Sequence, residues 1–378
     1  MVDRVARTAA LLPSFEHARR EVNRGGADLS AREVHRITTG LGAHVLSHRK
    51  RQVMAYRAGK VAAGSELVGK RVAACIDGGR TRLRRVTRKQ RGKGKNKKQR
   101  RRYEADWREV KLLVIYEIDK DGQKVPGGKS WIDGTFGGPD EAMELLAFHL
   151  HRLGAAKAEV VVFLADGGPW IWERFDWVAR RVGLDWRRGV FVLDFYHAAQ
   201  NLRLAVEQLP LPEEKRRRLL RRLRKRLHKG EAWAVVQRLR ELGSQHGVSS
   251  EMEQPLAYLA RHENDCHMDY GQFRERGLPT GSGAVESAIR RVINLRIKGA
   301  GIIWGRGNAE AMVVLRAAAL SDRWEETMRE VRQGLGKDRR IDTEWTGPDM
   351  RAELEAGIPI APPATQVESS QPPARLSA

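Results

Sequence analysis

The sequence predicts an α/β fold, because strand-like and helix-like segments alternate along its middle part. The strand-like segments are short apolar runs rich in β-branched residues, at 71–77, 110–119, 159–166 and 191–197. Between them, the segments 139–153 and 169–183 have apolar residues at helical spacing. Such alternation predicts a sheet covered by helices. The chain has 378 residues, 41% of them hydrophobic, which is enough for about two or three domains.

A long helical and basic stretch interrupts this pattern from residue 198 to residue 275. Strand-like runs are absent there, and Leu219, Leu223 and Leu227 repeat every four residues, so one apolar stripe faces a neighbour while arginines cover the rest. The stretch is predicted to be an all-helical insertion that follows a first α/β part at 70–197.

The two ends of the chain differ from the α/β part. Residues 1–69 have a helical pattern without a recognisable motif and are a candidate DNA-binding arm. The segment 276–335 returns to the core with predicted helices at 284–297 and 309–333. Five of the fourteen prolines fall near the end of the sequence, so 336–378 is predicted to be a disordered tail.

The positive charge is concentrated in two places. The formal net charge is +23; residues 80–102 carry 14 Lys or Arg and residues 215–229 carry 10, with no acidic residue in either run. Such dense patches favour a polyanionic partner through counterion release, and nucleic acid is the commonest one; the alternative is a solvated basic loop with no specific partner. The predicted DNA-contacting residues in these runs are Arg84, Arg85, Lys97, Arg101, Arg217, Arg221 and Arg224.

Several classes of protein are disfavoured. No apolar run reaches eighteen residues, and charge interrupts the first apolar patch too early for a secretory signal, so no membrane partner is expected and the location is expected to be cytoplasmic, on the nucleoid. The two cysteines, Cys75 and Cys266, form no disulfide framework. His262, Cys266 and His267 have a spacing that fits no standard zinc site.

Three acidic residues are the strongest candidates for catalysis. Asp77 and Asp166 each follow an apolar run and precede glycines, a placement that suits functional groups at the carboxyl edge of a sheet, although a plain Asp-Gly turn explains each one alone. Glu286 comes shortly after the Gly-Ser-Gly turn at 281–283, where Ser282 can cap a helix; a first-turn glutamate is also ordinary helix chemistry.

Together with the basic composition, these three acids have the chemistry of a two-metal phosphoryl-transfer site. Carboxylates suit Mg²⁺ or Mn²⁺, and two such ions clamp the attacking and leaving oxygens of an in-line displacement. If Asp77, Asp166 and Glu286 share such ions, their carboxyl groups are expected to lie within about 8 Å of one another.

The segments 194–202, 270–292 and 297–324 resemble the DDE transposases of the Kra-type insertion sequences, which are related to Mutator-type transposases. The resemblance covers about residues 70–330. It implies an RNase H-like mixed sheet flanked by helices, with Asp77, Asp166 and Glu286 as the catalytic and metal-binding acids, two Mg²⁺ or Mn²⁺ ions, and a helical insertion between the last two acids.

Asp194 and His197 match a signature that follows the second acid in that family, which implies a supporting role at the site. A plain helix cap is the alternative for Asp194. Trp304, with Arg296 and Lys298 close to it in sequence, is a candidate for stacking on an unpaired base and contacting DNA; a core tryptophan is the alternative.

The function implied by the resemblance is a transposase that cuts element ends and joins them to target DNA, acting as a homodimer or higher oligomer. Two alternatives stay open. One is a domesticated or decayed transposase that binds DNA without catalysis, and the other is a basic RNA-binding protein.

Overall fold

The computed structural model describes residues 1–89, 101–185, 187–246, 249–299, 301–334, 343–357 and 360. Its centre is a mixed sheet in the order β3-β2-β1-β4-β5, with β6 paired to the outer part of β1. β1, β2 and β3 are antiparallel neighbours, whereas β4 and β5 run parallel to β1. This is an RNase H-like arrangement, and it confirms the predicted α/β class. The strands are β1 (Arg71–Lys89), β2 (Arg101–Glu117), β3 (Ser130–Thr135), β4 (Val160–Ala165), β5 (Gly189–Leu193) and β6 (Trp304–Gly305).

Helices cover both faces of the sheet. Alternate side chains of a strand point to opposite faces, so Ala73 and Cys75 of β1 enter one core, and Val72 and Ala74 enter the other. The helices of the first part are α1 (Val2–Leu11), α2 (Phe15–Arg24), α3 (Ala31–Arg57), α4 (Pro139–Leu153), α5 (Pro169–Val182) and α6 (Phe195–Glu207). Those that follow are α7 (Glu213–His228), α8 (Ala232–His246), α9 (Ser250–Asn264), α10 (Tyr270–Glu275), α11 (Gly283–Ile289), α12 (Arg306–Leu320), α13 (Trp324–Gly334) and α14 (Met350–Glu355).

The amino-terminal helices pack on this body. α3 crosses α12 closely at Gly42, where a Cβ atom would lie 2.6 Å from the Cβ of Ala311. Ala6 and Ala10 of α1 belong to the same buried cluster as α12. The predicted helical character of 1–69 is therefore confirmed, but α1 and α3 contribute to the main core and do not form a separate arm.

Arg49 of α3 ties this region to the sheet through a buried ion network. Its guanidinium donates to Asp133 Oδ1 at 2.8 Å, to the carbonyl of Gly134 at 2.8 Å and to Glu310 Oε1 at 2.9 Å. The second oxygen of Asp133 lies 2.9 Å from His149 Nε2. Burial alone would raise the pKa of Asp133, but Arg49 and His149 outweigh it and hold that pKa well below its usual range.

The described part of the stretch from 198 to 275 consists of helices joined by short turns, with no strand, as predicted. Leu219, Leu223 and Leu227 of α7 are buried, so the four-residue repeat does form one packed stripe. Arg217, Arg221 and Arg224 are exposed. Arg216 of the same helix is only partly exposed and donates to the carbonyl of Glu207 at 2.9 Å.

The two ends of the basic run 80–102 are paired strands and not a solvated loop. β1 continues through Lys89 and β2 begins at Arg101, so these ends are the arms of an antiparallel ribbon. The pairing of two long strands, from Gly78↔Lys111 outwards, satisfies backbone groups that a loop would leave to water. Residues 90–100, including Lys97, lie outside the described residues.

Other element boundaries also differ from the predictions. β5 ends at Leu193, and the predicted strand residues that follow it form the start of α6. The helix predicted at 309–333 is two helices, α12 and α13, separated near Asp322, which has a φ of 56°. The helix predicted at 284–297 ends earlier, as α11 followed by a π-helical turn at Arg290–Asn294. β3 was not predicted.

The tail prediction for 336–378 is wrong for residues 343–357. Met350 is fully buried against the core, and Trp345 Nε1 donates to Glu144 Oε2 at 3.2 Å. Glu353 accepts a hydrogen bond from Trp177 Nε1 at 2.8 Å. These contacts fold this segment back over α4 and α5, which a proline count cannot predict.

Candidate active site

Asp77 lies inside β1 and not at its end, which corrects the sequence-based placement. The last parallel pair between β1 and β4 is Ile76↔Ala165, and beyond it β1 continues beside β2, with the short β6 pairing only at Leu83 and Arg84. Asp77 therefore stands at the point where β4 stops, directly beside the turn that begins with Asp166. Its Oδ1 accepts the backbone N–H of Gly78 at 2.6 Å.

Asp166 immediately follows β4, as predicted, in a turn held from several sides. Its Oδ1 accepts the N–H of Gly168 at 3.0 Å, and its carbonyl accepts Trp172 Nε1 at 2.6 Å. Arg261 of the helical insertion donates to the carbonyl of Gly167 at 3.0 Å. A Cβ on Gly167 would lie 1.9 Å from a ring carbon of Tyr258, so only glycine fits between the strand and α9. The turn is thus fixed by α5 and by the insertion together.

Glu286 lies in the first turn of α11, as predicted, and its side chain is exposed. The Ser282 side chain makes no capping hydrogen bond, which corrects the predicted cap. The turn before α11 is held instead by Asp194, whose Oδ2 accepts the backbone N–H of Ser282. Asp194 is fully buried, and its Oδ1 caps α6 by accepting the N–H groups of Tyr196 at 2.6 Å and His197 at 3.1 Å.

The pKa of Asp77 is affected by both of the other predicted acids. The pKa of the Asp77 carboxyl is raised to about 6, first by burial and then by the negative charge of Asp166, with a smaller contribution from Glu286, while the Gly78 N–H and His197 partly offset the rise. Two other acids and one histidine thus act electrostatically on the same carboxyl. A cluster of carboxylates in which one pKa is pushed upward lacks positive charge, and a bound cation would supply it.

The donor set fits Mg²⁺ or Mn²⁺, since all three acids offer carboxylate oxygens. Among the described residues, however, no three histidine, cysteine, aspartate or glutamate side chains stand close enough together to hold a metal ion. A metal bound by Asp77, Asp166 and Glu286 therefore requires their side chains to move closer together.

Replacing Asp77 by asparagine is expected to stabilise the metal-free protein at neutral pH. The folded-state pKa is about 6 against 3.8 when unfolded, so the ionised carboxyl costs folding free energy above that range. The gain in the free energy of unfolding should be roughly 1–3 kcal/mol above pH 7 and should vanish near pH 4. Denaturant unfolding at several pH values in EDTA measures it; a gain that is independent of pH would contradict this origin.

Two of the DNA-contacting residues predicted near Trp304, including Trp304 itself, are buried. Trp304 and Arg296 are only 7% and 4% exposed, and the Arg296 guanidinium lies 4.6 Å from the Phe15 ring centre and 5.1 Å from that of Trp304. Both side chains pack under the start of α2, so the core alternative is correct and neither contacts DNA in this arrangement. Lys298 is exposed.

The remaining predicted DNA contacts lie on two exposed elements. Arg84 and Arg85 are exposed on the ribbon, while the side chain of Arg101 lies outside the described part. The arginines of α7 predicted to bind DNA are exposed, but Arg217 also pairs with Glu213 at 2.6 Å. The structure thus leaves basic side chains of both runs accessible to a polyanion.

Sequence reasoning missed the contribution of the insertion to the site. Tyr258 of α9 packs on Gly167, its hydroxyl is buried without a hydrogen-bond partner, and burial together with the charges of Asp166 and Asp194 raises its pKa above the usual range. Nothing in the local pattern of 250–264 marks Tyr258, because its position depends on how α9 folds back on the sheet.

The histidines first considered as metal ligands fasten the insertion to α5. His262 Nε2 lies 3.2 Å from Arg261 Nη2 and so must accept a hydrogen bond, which leaves the proton on Nδ1 to be donated to His267 Nδ1 at 3.1 Å. His267 stacks on Trp172, with ring centres 4.1 Å apart. Both histidines are neutral in this arrangement.

Acid is therefore expected to weaken this contact. Burial lowers the pKa of His262 to about 3 and that of His267 to about 4, against 6.5 when unfolded, so stability falls as pH drops from 6.5 towards 4. In this range each histidine changes the free energy of unfolding by up to about 1.4 kcal/mol per pH unit. The double variant His262→Gln/His267→Gln should show a flatter pH profile of unfolding; an unchanged profile would assign the acid sensitivity to other groups.

Comparison with family models, curated proteins and solved structures finds no match for this chain. No described helix is long and apolar enough to span a bilayer.

Proposed function

We propose that the protein is a metal-dependent DNA-processing enzyme of the transposase type, which cleaves DNA strands and transfers the ends. One observation carries this proposal: Asp77, at the edge where β4 ends, has a pKa raised by burial and by both Asp166 and Glu286. An RNase H-like sheet with a cluster of carboxylates at this edge suits phosphoryl transfer, which needs cations and positioned oxygens rather than a nucleophilic side chain.

Asp77, Asp166 and Glu286 would hold Mg²⁺ or Mn²⁺. Such ions, when bound, supply positive charge to the attacking and leaving oxygens of the displacement. Asp194 positions the turn that carries α11, and thereby Glu286, through its bond to Ser282. Trp172 and Arg261 hold the turn of Asp166. The arginines of the ribbon and of α7 would contact phosphates and orient the DNA, with two or more copies of the chain acting on paired ends.

The direct test is cleavage of DNA that carries the ends of the encoding element. We expect strand cleavage that requires Mg²⁺ or Mn²⁺ and is lost in EDTA, with a joined product when target DNA is added. A protein that binds these ends but leaves them intact with either metal contradicts the enzymatic proposal.

A second candidate is a DNA-binding descendant without catalysis. It is favoured by one observation, that no three acidic or histidine side chains among the described residues already stand at metal-binding separation. Isothermal titration separates the two: Mn²⁺ binding that disappears in Asp166→Asn supports the enzyme, and absence of any Mn²⁺ binding supports the descendant.

A further inference from the structure

The ribbon formed by β1 and β2 has one face that combines aromatic and basic side chains. Side chains at alternate positions share a face of a strand pair, and the register places Arg82 opposite Trp107 and Arg84 opposite Ala105. Five of the side chains on this side of the ribbon, Arg80, Arg82, Arg84, Tyr103 and Trp107, are called the aromatic face.

The rings of the aromatic face are open to solvent. Trp107 is 58% exposed and Tyr103 is 49% exposed, although large aromatic side chains usually gain stability by burial. The Arg82 guanidinium lies 5.6 Å from the Trp107 ring centre, and that of Arg84 lies 4.2 Å from the Tyr103 ring centre. Arginine thus accompanies each ring, while much of the ring surface stays accessible.

The opposite face of the ribbon is covered at Thr81 and Leu83 of β1, although Arg85 and, on β2, Arg108 are exposed. Thr81 and Leu83 are 1% and 3% exposed, and they alternate with the arginines of the aromatic face. Asp77 belongs to the same set of alternate positions as Thr81 and Leu83. The aromatic face is therefore a separate surface from the acidic cluster, on the other side of the strand pair.

The charge of the aromatic face indicates its partner. Arg80, Arg82 and Arg84 lie on it, and the acidic residue of β2 on the same side, Glu109, is neutralised by Lys111 at 3.3 Å. A polyanion is therefore attracted. The exposed rings place a second requirement on this partner, which must offer flat groups that can stack on them. Bases inside a duplex are already stacked on each other, so only unpaired bases meet this requirement.

We propose that the aromatic face binds an unpaired nucleic-acid segment, with bases stacked on Trp107 and Tyr103 and phosphates bound by the arginines. The two rings are four residues apart on β2, about 13 Å along the strand, and the small Ala105 leaves the space between them open. The proposal rests on the nucleic-acid partner of the proposed function but not on its catalysis.

The test measures the affinity of the full-length protein for labelled oligothymidine. Binding is detected by fluorescence anisotropy in EDTA at a series of salt concentrations. Trp107→Leu is expected to weaken binding roughly 5- to 100-fold, the loss of one stacked base. The slope of log K against log salt should not change, since stacking releases no counterions. Arg84→Gln should instead reduce that slope by about 0.7. Trp107→Phe should retain most of the affinity.

Trp233 provides the matched control, because it is 64% exposed but lies on α8 of the insertion. Trp233→Leu should bind oligothymidine as the unaltered protein does. A duplex of the same length should be bound about equally by Trp107→Leu and the unaltered protein. An oligouridine arm distinguishes RNA from DNA, and stacking on either supports the proposal.

Three results would overturn it: unchanged oligothymidine binding by Trp107→Leu, an equal loss on duplex, or conversion of an oligomer to a monomer by this substitution. The last result would assign the face to a contact between copies of the chain. Because binding is measured in EDTA, lack of cleavage activity overturns the enzymatic proposal alone and leaves this test intact.

Discussion

Substitution of any one of the three acids is expected to abolish strand cleavage while DNA binding persists. Asp166→Asn and Glu286→Gln keep the size of each side chain but remove a negative charge, and the amide oxygen in Asp166→Asn can still accept the Gly168 N–H. Cleavage in Mg²⁺ under single-turnover conditions should fall roughly 1000-fold or more, as when groups that act as a unit are removed. Affinity for DNA, measured by anisotropy, should change little.

Two controls separate chemistry from folding. Asp176→Asn removes an exposed acid of α5, 52% exposed and paired with Arg180, and should leave cleavage unchanged. Asp77→Asn should lose cleavage although it is expected to be more stable than the unaltered protein in EDTA at neutral pH. An active Asp77→Asn, Asp166→Asn or Glu286→Gln protein would remove the acidic cluster from the mechanism.

The second large effect concerns stability and not catalysis. Arg49→Met is expected to lower the free energy of unfolding by about 3–5 kcal/mol, because it leaves the buried carboxylate of Asp133 and the partly buried carboxylate of Glu310 without their shared cation. Denaturant unfolding at neutral pH measures the loss. Neutralising both acids as well, in Arg49→Met/Asp133→Asn/Glu310→Gln, should recover part of it.

An exposed ion pair gives the comparison. Arg180→Met breaks the ion pair with Asp176, in which the Arg180 side chain is 57% exposed and the Asp176 side chain 52%. This substitution should lower the free energy of unfolding by less than about 1 kcal/mol. Equal losses in Arg49→Met and Arg180→Met would show that burial of the Arg49 network contributes nothing particular to the fold.

The local pattern of apolar residues was sufficient to predict much of the α/β core. The helix predicted at 139–153 is α4 to the residue, and the run at 159–166 contains β4. Both segments bury continuous or periodic apolar positions, so their periodicity reports their structure directly. β3 escaped this reasoning because its six residues, SWIDGT, mix Asp and Gly into a buried strand, and Asp133 is tolerated there only through Arg49 and His149.

At the candidate site, too, some features could be predicted from the sequence and others could not. The sequence by itself determined the acidic residue types, their order and the concentration of positive charge in two runs, since these are properties of composition and spacing. Only the tertiary structure decided that β1 continues past Asp77, that Asp194 holds the turn before α11, that Tyr258 reaches the Asp166 turn and that Trp304 is buried. Each of these depends on contacts between residues distant in sequence, and side-chain burial and long-range pairing leave no periodic signal in the segment that carries them.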